Sequence, residues 1–341
     1  GEHTTGQGKA AGTGIRTAVY PSTSVSAYGS FVGLLKSISA SVALSFVTAG
    51  MASAAGPAVN TLPTGYSVNS GSVAVSSTSN AYSAAMTIKQ TTDKASVNWQ
   101  SFSIGSGAAV NIQQNDANSV LLNRVVGNDP SQIFGKLNAN GQVILINPNG
   151  VVFGKGGSVT ASAFTASTFG LSDQDFANGK YNYTRNGSSA DVTVEDRATI
   201  STAGYVALIG ASVDNQGTIS TKQGPVVLAS GESVSLPTAM TDNISVPLSG
   251  KVRLELLPST INAMVSNSGA ITTEGGQVLM QAAALSDAIA SVTHTGTINT
   301  SGPQAGAVTL LAENGSIRVN GDITANSTTS SNKGGDIIIG R

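Results

Sequence analysis

The feature that most restricts this chain is a two-part motif that returns five times in its second half. The first part reads TIST around Ile200, NQGTIST around Ile219, NSGAITT around Ile271, HTGTINT around Ile298 and, more loosely, NGSIRV around Ile317. The second part follows each time: GYVAL at Val206, GPVVL at Val226, GQVLM at Val278, GAVTL at Val308 and GDIII at Ile337. The step is 19 residues from Ile200 to Ile219, 27 from Ile271 to Ile298 and 19 from Ile298 to Ile317. One long gap, from Ile219 to Ile271, holds GESVSLPTAMTDNISVPLSGKVRLELLPST, whose polarity and prolines mark an inserted excursion. Short strands returning at such a period predict a solenoid with one coil per repeat. Each strand then stacks on its counterpart in the next coil at about 4.8 Å, with Ile, Val and Leu pointing into an apolar column. Gly and Asn at the corners supply the positive φ values of sharp turns, and repeated Asn can stack as hydrogen-bonded ladders. An antiparallel sandwich has no reason to produce the same pair of elements five times.

Composition agrees. Of 341 residues only 10% are charged, against the usual quarter, while Gly numbers 40. Gly and β-branched residues disfavour long helices. A net charge of −1 with mean hydropathy +0.11 excludes a disordered chain. Seventeen basic against 18 acidic residues leave no basic stripe, so no nucleic-acid partner is expected. The absence of Cys excludes thiolate metal sites, a Cys nucleophile and disulfides. It also suits a chain that crosses an oxidising periplasm unfolded. Residues 31–55, FVGLLKSISASVALSFVTAGMASAA, have a basic start at Lys36, an apolar run from Val42 to Val47 and the small-residue pattern Ala52-Ser53-Ala54. That is the pattern of a secretory signal peptide, too short and too rich in Ser, Thr and Gly to span a bilayer.

Between residues 60 and 170 lie four denser strings: LPTGYSV (62–68), MTIKQTTDKASVNWQSFSIG (86–105), DANSVLLNR (116–124) and SQIFGKLNANGQVILINPNGVVFGKGGSV (131–159). With W-x-x-F-x-I-G, D-A-N-S-V-L-L-N-R and N-P-N-G in this order, the chain resembles the N-terminal secretion domain of two-partner-secreted exoproteins, the filamentous haemagglutinin-like family. The repeats up to Arg341 resemble the stem that follows such a domain, and the stem is expected to continue beyond Arg341. The resemblance implies an all-β fold: a right-handed parallel β-helix with an N-terminal cap and small extra-helical β elements. It implies an N-terminal extension and signal peptide at 1–55, a secretion domain at 56–257 and a continuing stem at 258–341. It further implies a partner, the POTRA domains of an outer-membrane β-barrel transporter, and passage through periplasm and outer membrane to the cell surface or the medium. Most exoproteins of this kind are adhesins, for which a host-cell receptor or glycan is a further partner; others are haemolysins, haem-acquisition proteins or contact-dependent inhibition toxins.

Asn147-Pro148-Asn149-Gly150 fits a type I turn between the apolar runs VILI and VVF, with Asn first, Pro second and Gly fourth. The resemblance makes this turn part of the secretion signal. Asn118 and Asn123 resemble the family's other Asn-bearing motif, and a bland account makes them buried residues that satisfy backbone groups at coil corners. Trp99 and Phe102 read as core or cap residues.

No catalytic, cofactor-binding or metal-ligating residue is assigned. His3 and His294 are the only histidines; His294 stands where other repeats carry Asn and reads as a surface corner, so no Ser-His-Asp set can be assembled. The segment from Gly150 to Lys155 lacks the spacing of a phosphate loop. Asp173 and Asp175 read as part of a solvated loop. A secreted β-helix acting on polysaccharide remains an alternative, but no repeat carries the row of carboxylates such an enzyme uses. A haem or host-protein binder of the same family is another, with specificity in excursions such as 232–257 or in further C-terminal sequence. The Asn-x-Ser/Thr strings at Asn182, Asn186, Asn243, Asn299, Asn314 and Asn326 are expected by chance in a chain so rich in Asn and Ser.

Overall fold

Corner glycines and inward aliphatics wind the chain into a parallel β-helix. The computed structural model describes residues 55–242, 244, 246, 248 and 250–340. Apart from Ala55, the expected leader lies outside the described residues. Each coil contributes strands to three faces in turn. In one coil these are Val206–Ile209 on a first face, Ser212–Asn215 on a second and Thr218–Thr221 on a third. The first and third faces are sheets of ten strands and the second a sheet of seven. At the N-terminal end two antiparallel strands close the stack: Ser67–Ser70 pairs with Lys94–Trp99, and Val73–Ser79 with Ala84–Gln90. Every later rung of the three faces is parallel.

The repeat is a ladder. Val206, Val226, Val278, Val308 and Ile337 stand directly above one another on the first face. On the third face the column is Ile200, Ile219, Ile271, Ile298 and Ile323. The expected fifth member, Ile317, instead lies on the second face opposite Val292. The string Asn-Gly-x-Ile occurs twice, at 314–317 and 320–323, and only the second copy falls at the corner before the third face. Both columns continue down into the first half, through Phe164, Val143 and Leu121 and through Val159, Leu137 and Val110.

The corners show why Gly is abundant. At the turn from third to first face, a Cβ on Gly276, Gly306 or Gly335 would stand 2.1–2.2 Å from the carbonyl oxygen of the glycine one coil below. Only a hydrogen fits there. The hydroxyls of Thr202, Thr221, Thr273 and Thr300 donate to the carbonyls of Gly204, Gly224, Gly276 and Gly306 at the same corner. Buried backbone oxygens are thereby satisfied coil after coil.

Two excursions leave from the corner between first and second face, at 168–190 and 231–262. Their strands Tyr181–Thr184, Ser233–Leu236 and Glu255–Leu257 form a small antiparallel sheet. This sheet covers the outer side of the first face, joining Tyr181, Tyr183, Val234 and Leu236 to Leu122, Ile144, Ala207 and Val227 in a second apolar cluster. The first face is therefore buried on both sides, and Gln142–Ile146 and Val206–Ile209 are buried throughout. The third face has no such cover, and Thr199–Thr202 alternates between exposed and buried. Continuous and alternating apolar runs thus report different faces.

The first excursion corrects the reading of Asp173 and Asp175 as a solvated loop. Asp173–Ala177 is a short helix whose N-cap Ser172 accepts a hydrogen bond from the Asp175 N–H at 3.0 Å. Asp173 lies 2.6 Å from the Arg124 guanidinium, and the Lys94 ammonium donates to the Phe176 carbonyl at 3.2 Å. The sequence Ser-Asp-Gln-Asp supplies both the cap and first-turn acids that suit a helix N-terminus.

Candidate functional site: the Asn147 corner and its neighbours

Four residues must carry the chain from Ile146, at the end of a first-face strand, to Val151, at the start of a second-face strand. The turn closes with the Gly150 N–H on the Asn147 carbonyl at 3.1 Å. Neither Pro148 nor Asn149 has positive φ, as a type I turn requires, while Gly150 sits at φ 123°. Pro148 and Asn149 are exposed; Asn147 and Gly150 are buried.

The Asn147 side chain ties this corner to the coil below. Its Nδ2 donates to the Asp129 carbonyl at 2.9 Å and to Ser131 Oγ at 3.0 Å. Its Oδ1 accepts from the Asn149 N–H and from Asn149 Nδ2, both at 3.0 Å. Asn149 Nδ2 also reaches the Gly127 carbonyl at 2.8 Å. From above, Ser188 Oγ, at the end of the first excursion, donates to the Pro148 carbonyl at 2.9 Å. The corner therefore fastens three successive levels. Sequence reading missed Asp129, Ser131 and Ser188; the turn-rich string GNDPS at 127–131 was the available signal for the first two.

The other Asn residues lie elsewhere than expected. Asn118 is exposed, in a turn where its N–H donates to Asp116 Oδ1 at 2.9 Å and its carbonyl accepts from Gln142 Nε2 at 3.2 Å. Asn123 is fully buried, but within the strand Val120–Val125 rather than at a corner. Its Oδ1 accepts from the Trp99 Nε1–H at 3.0 Å, and its Nδ2 donates to the Ile144 carbonyl at 3.3 Å. Trp99 in turn packs edge-to-face on Phe102 with ring centroids 5.4 Å apart, and both are buried. A large indole inside a narrow coil needs a partner for its N–H, and Asn123 supplies it. Asn123 pairs with Leu145, two residues before Asn147, and its side-chain hydrogen bonds go to Trp99, Leu121 and Ile144 rather than to the turn. Asn118 is apart from both.

His294 is not a surface corner. It is fully buried and continues a column of Asn215 and Asn267 on the second face. Asn215 Nδ2 donates to Asn267 Oδ1 at 2.8 Å, Asn267 Nδ2 lies 3.2 Å from His294 Nδ1, and His294 Nε2 lies 3.1 Å from the Asp322 carbonyl. A carbonyl only accepts, so Nε2 carries the proton and Nδ1 accepts, which makes the imidazole the third rung of an amide ladder. The ladder was anticipated from the repeated Asn; the imidazole within it was not.

Under the excursion sheet the ionisable groups are governed by burial. Burial, with Asp242 adding, pushes Tyr181 up to about 12, and burial raises Tyr183 and Tyr205 well above the ordinary tyrosine range. Burial lowers the buried Arg185, whose Nε donates to the Ser188 carbonyl at 2.7 Å and which also reaches Ser259 in the second excursion. Among the described residues, no three His, Cys, Asp or Glu side chains gather closely enough to hold a metal ion.

Residues 60–335 match the TPS secretion domain family. Over 228 residues the chain is 36% identical to a heme/hemopexin-binding protein of Haemophilus influenzae, covering 65% of this chain and 24% of that protein. A second heme/hemopexin-binding protein of that species is 41% identical over 110 residues, covering 32% and 12%. The chain thus spans a quarter or less of the length of these relatives. The secretion domain of HMW1 from Haemophilus influenzae superposes with a TM-score of 0.57 at 24% identity, over 75% of this chain and 73% of that one. A filamentous hemagglutinin secretion domain gives 0.50 at 17% identity, over 81% and 100%. The two solved structures share the fold, while the sequence match runs from the capped end through nearly all the coils; the chain belongs to the TPS secretion domain family, whose exoproteins leave the cell through the outer membrane with a partner transporter.

Proposed function

We propose that the β-helix is the export module of a longer adhesin-like exoprotein, recognised in the periplasm by the POTRA domains of its transporter and folding coil by coil as it emerges. The observation that carries this reading is the Asn147 corner. It presents Pro148 and Asn149 outward while Asn147 locks three levels together, so one four-residue string serves both as a readable feature of the chain and as an early fastening of the fold. Coils that bond mainly to their neighbours can stack in order of emergence, and each stacked coil disfavours return. On this reading the module acts by being recognised and by folding.

The test is release into the medium from cells with and without the partner barrel, for the parent chain, Asn147→Ala and Asn326→Ala. Asn326 is an exposed residue of a late loop and serves as control. The expected result is partner-dependent release that falls for Asn147→Ala and not for Asn326→Ala. Equal secreted amounts of the two variants, or retention of the parent beside a working transporter, would refute the proposal.

The identity to heme/hemopexin-binding proteins favours a second reading of the whole exoprotein, as a binder of haem or of a host haem carrier held at or released from the cell surface. Binding of haem and of haemopexin to the full exoprotein, compared with the 341-residue chain, tests it.

A further inference from the structure

One group of exposed aliphatics gathers at a corner of the helix. Where the second excursion rejoins the helix, Leu257, Ile261, Met264, Leu285 and Ile289 are each 46–62% exposed. They come from two successive coils that are stitched side by side. The Ser259 N–H donates to the Ala283 carbonyl at 3.0 Å and the Leu285 N–H to the Ser259 carbonyl at 2.7 Å. The Ile289 N–H donates to Asn262 Oδ1 at 3.0 Å, and the Ala263 N–H to the Ile289 carbonyl at 3.0 Å. Met264 pairs with Ser291. Beneath them the buried Arg185 holds the buried Ser259, so the patch stands on a fixed floor. Clustered exposed aliphatics on a soluble surface mark an interaction site.

Carboxylates surround the patch. Asp287 lies between Leu285 and Ile289 in the same loop, and Glu255 precedes Leu257 on the same side of its strand. Glu313 is exposed, and its main chain adjoins Leu285 through the Ala284 N–H on the Glu313 carbonyl; Glu232, bonded to the Leu257 carbonyl through its N–H, is half-buried and its charge acts on Arg185. Lys251 and Arg253 are the exposed cations leading into Leu257, and Lys251 is taken up by Asp336 at 2.7 Å. This rim decides the occupant. A second copy related by a two-fold axis would bring carboxylates against carboxylates, and an anionic lipid surface would be repelled likewise. We propose that the corner spanning Leu257 to Ile289 is a docking surface for a protein segment with an apolar centre and Lys or Arg flanks, engaged by the folded domain and separate from the Asn147 corner.

The experiment measures binding of two synthetic amphipathic peptides to the purified 341-residue chain by fluorescence anisotropy, one Leu/Lys and one Leu/Glu with the same pattern. The Leu/Lys peptide is expected to bind, and to lose about tenfold or more in affinity with the double variant Met264→Ser, Ile289→Ser. Both substitutions are at exposed positions, so melting temperature and partner-dependent secretion are expected to stay at the parent level, which keeps this result independent of the export reading. Equal binding of the two peptides, or equal affinity of variant and parent, overturns the proposal. So does sedimentation showing a dimer of the parent chain that the variant loses, or patch-dependent binding to phosphatidylserine vesicles.

Discussion

Replacing Asn147 by Ala should weaken the helix locally. The substitution removes two donated hydrogen bonds, to Asp129 and Ser131, and two accepted ones, from Asn149. Asn149 is exposed and water replaces what it loses, but Ser131 is fully buried and is left short of a partner. Two buried bonds near 1 kcal/mol each, plus a poorly satisfied hydroxyl, give a loss of about 2–4 kcal/mol. In a solenoid that loss stays near its source. Native-state hydrogen exchange reads it directly, because amides that open locally exchange in proportion to the opening equilibrium. Amides of Gln142–Ile146, Val151–Phe153 and Ser131–Ile133 should exchange roughly 30- to 700-fold faster, the equivalent of that loss at 1.4 kcal/mol per tenfold. Those of Ala290–His294, coils away, should be unchanged. An acceleration below about threefold at the first three strands, or one spread evenly over all coils, would show that the corner does not fasten the levels as its hydrogen bonds indicate.

Asn123→Leu should cost about 1–3 kcal/mol by leaving the Trp99 N–H unpaired, and clearly less in a Trp99→Phe background; additive losses in denaturant titrations would break the link. Gly276→Ala should prevent normal stacking, since its Cβ would stand 2.2 Å from the Gly224 carbonyl oxygen, whereas Thr273→Val should cost only about 1 kcal/mol; comparable melting temperatures for the two would be inconsistent with the corner ladder. Raising the pH should detach the excursion sheet. Unfolded tyrosine ionises near pH 10 while burial holds Tyr181 to about 12 and raises Tyr183 and Tyr205 well above the ordinary range, so the folded state keeps protons the unfolded state has lost. Stability is then full below about pH 10 and falls as pH climbs above it, and Tyr183→Phe should move the alkaline midpoint upward; tyrosinate absorbance rising without loss of circular dichroism would refute this.

The second element of the repeat was fully legible because its five members, from Val206 to Ile337, carry the same Gly-initiated apolar run over strictly superposed positions. The first element failed once, at Ile317, because a string of the right composition occurs at two consecutive corners and only the three-dimensional register chooses between them. The lower coils, expected from the family resemblance, stood outside the repeat for a different reason. Phe164, Val143 and Leu121 continue the same column, but their corners are built from other residues, and a repeat defined by its turns does not reveal a ladder defined by its core. The Asn147 turn was readable down to its type, since Asn, Pro and Gly have local conformational demands. Its partners at Asp129, Ser131 and Ser188 were not, because hydrogen bonds between coils join residues 16 to 40 positions apart with no local signature. His294 misled by analogy: it replaces Asn as a ladder member, and that ladder is inside.

The two excursions bear on how such a chain completes itself if it folds from its N-terminal end. Both leave the helix at one corner and fold back over the first face, reaching coils formed well before them. Asn69 Nδ2 and the Arg124 guanidinium both contact Asp173, and Lys94 holds the end of the same short helix. The outward Leu122 and Ile144 of the early coils lie in one buried cluster with Tyr181, Tyr183, Val234 and Leu236, which follow them in the chain by tens of residues. Burying an aliphatic side chain of this size contributes about 1.5–3 kcal/mol, so the early first face stays incompletely stabilised until the excursions arrive. Arg185 makes the dependence sequential: its guanidinium bonds Ser188 within the first excursion but reaches Ser259 only after the second has been laid down. The apolar column inside the coils can therefore grow one level at a time, while the outer cluster closes only after residue 257. Stability along this helix is gained in two stages, with the inner column setting the order of stacking and the excursions setting the point at which the first coils become fixed.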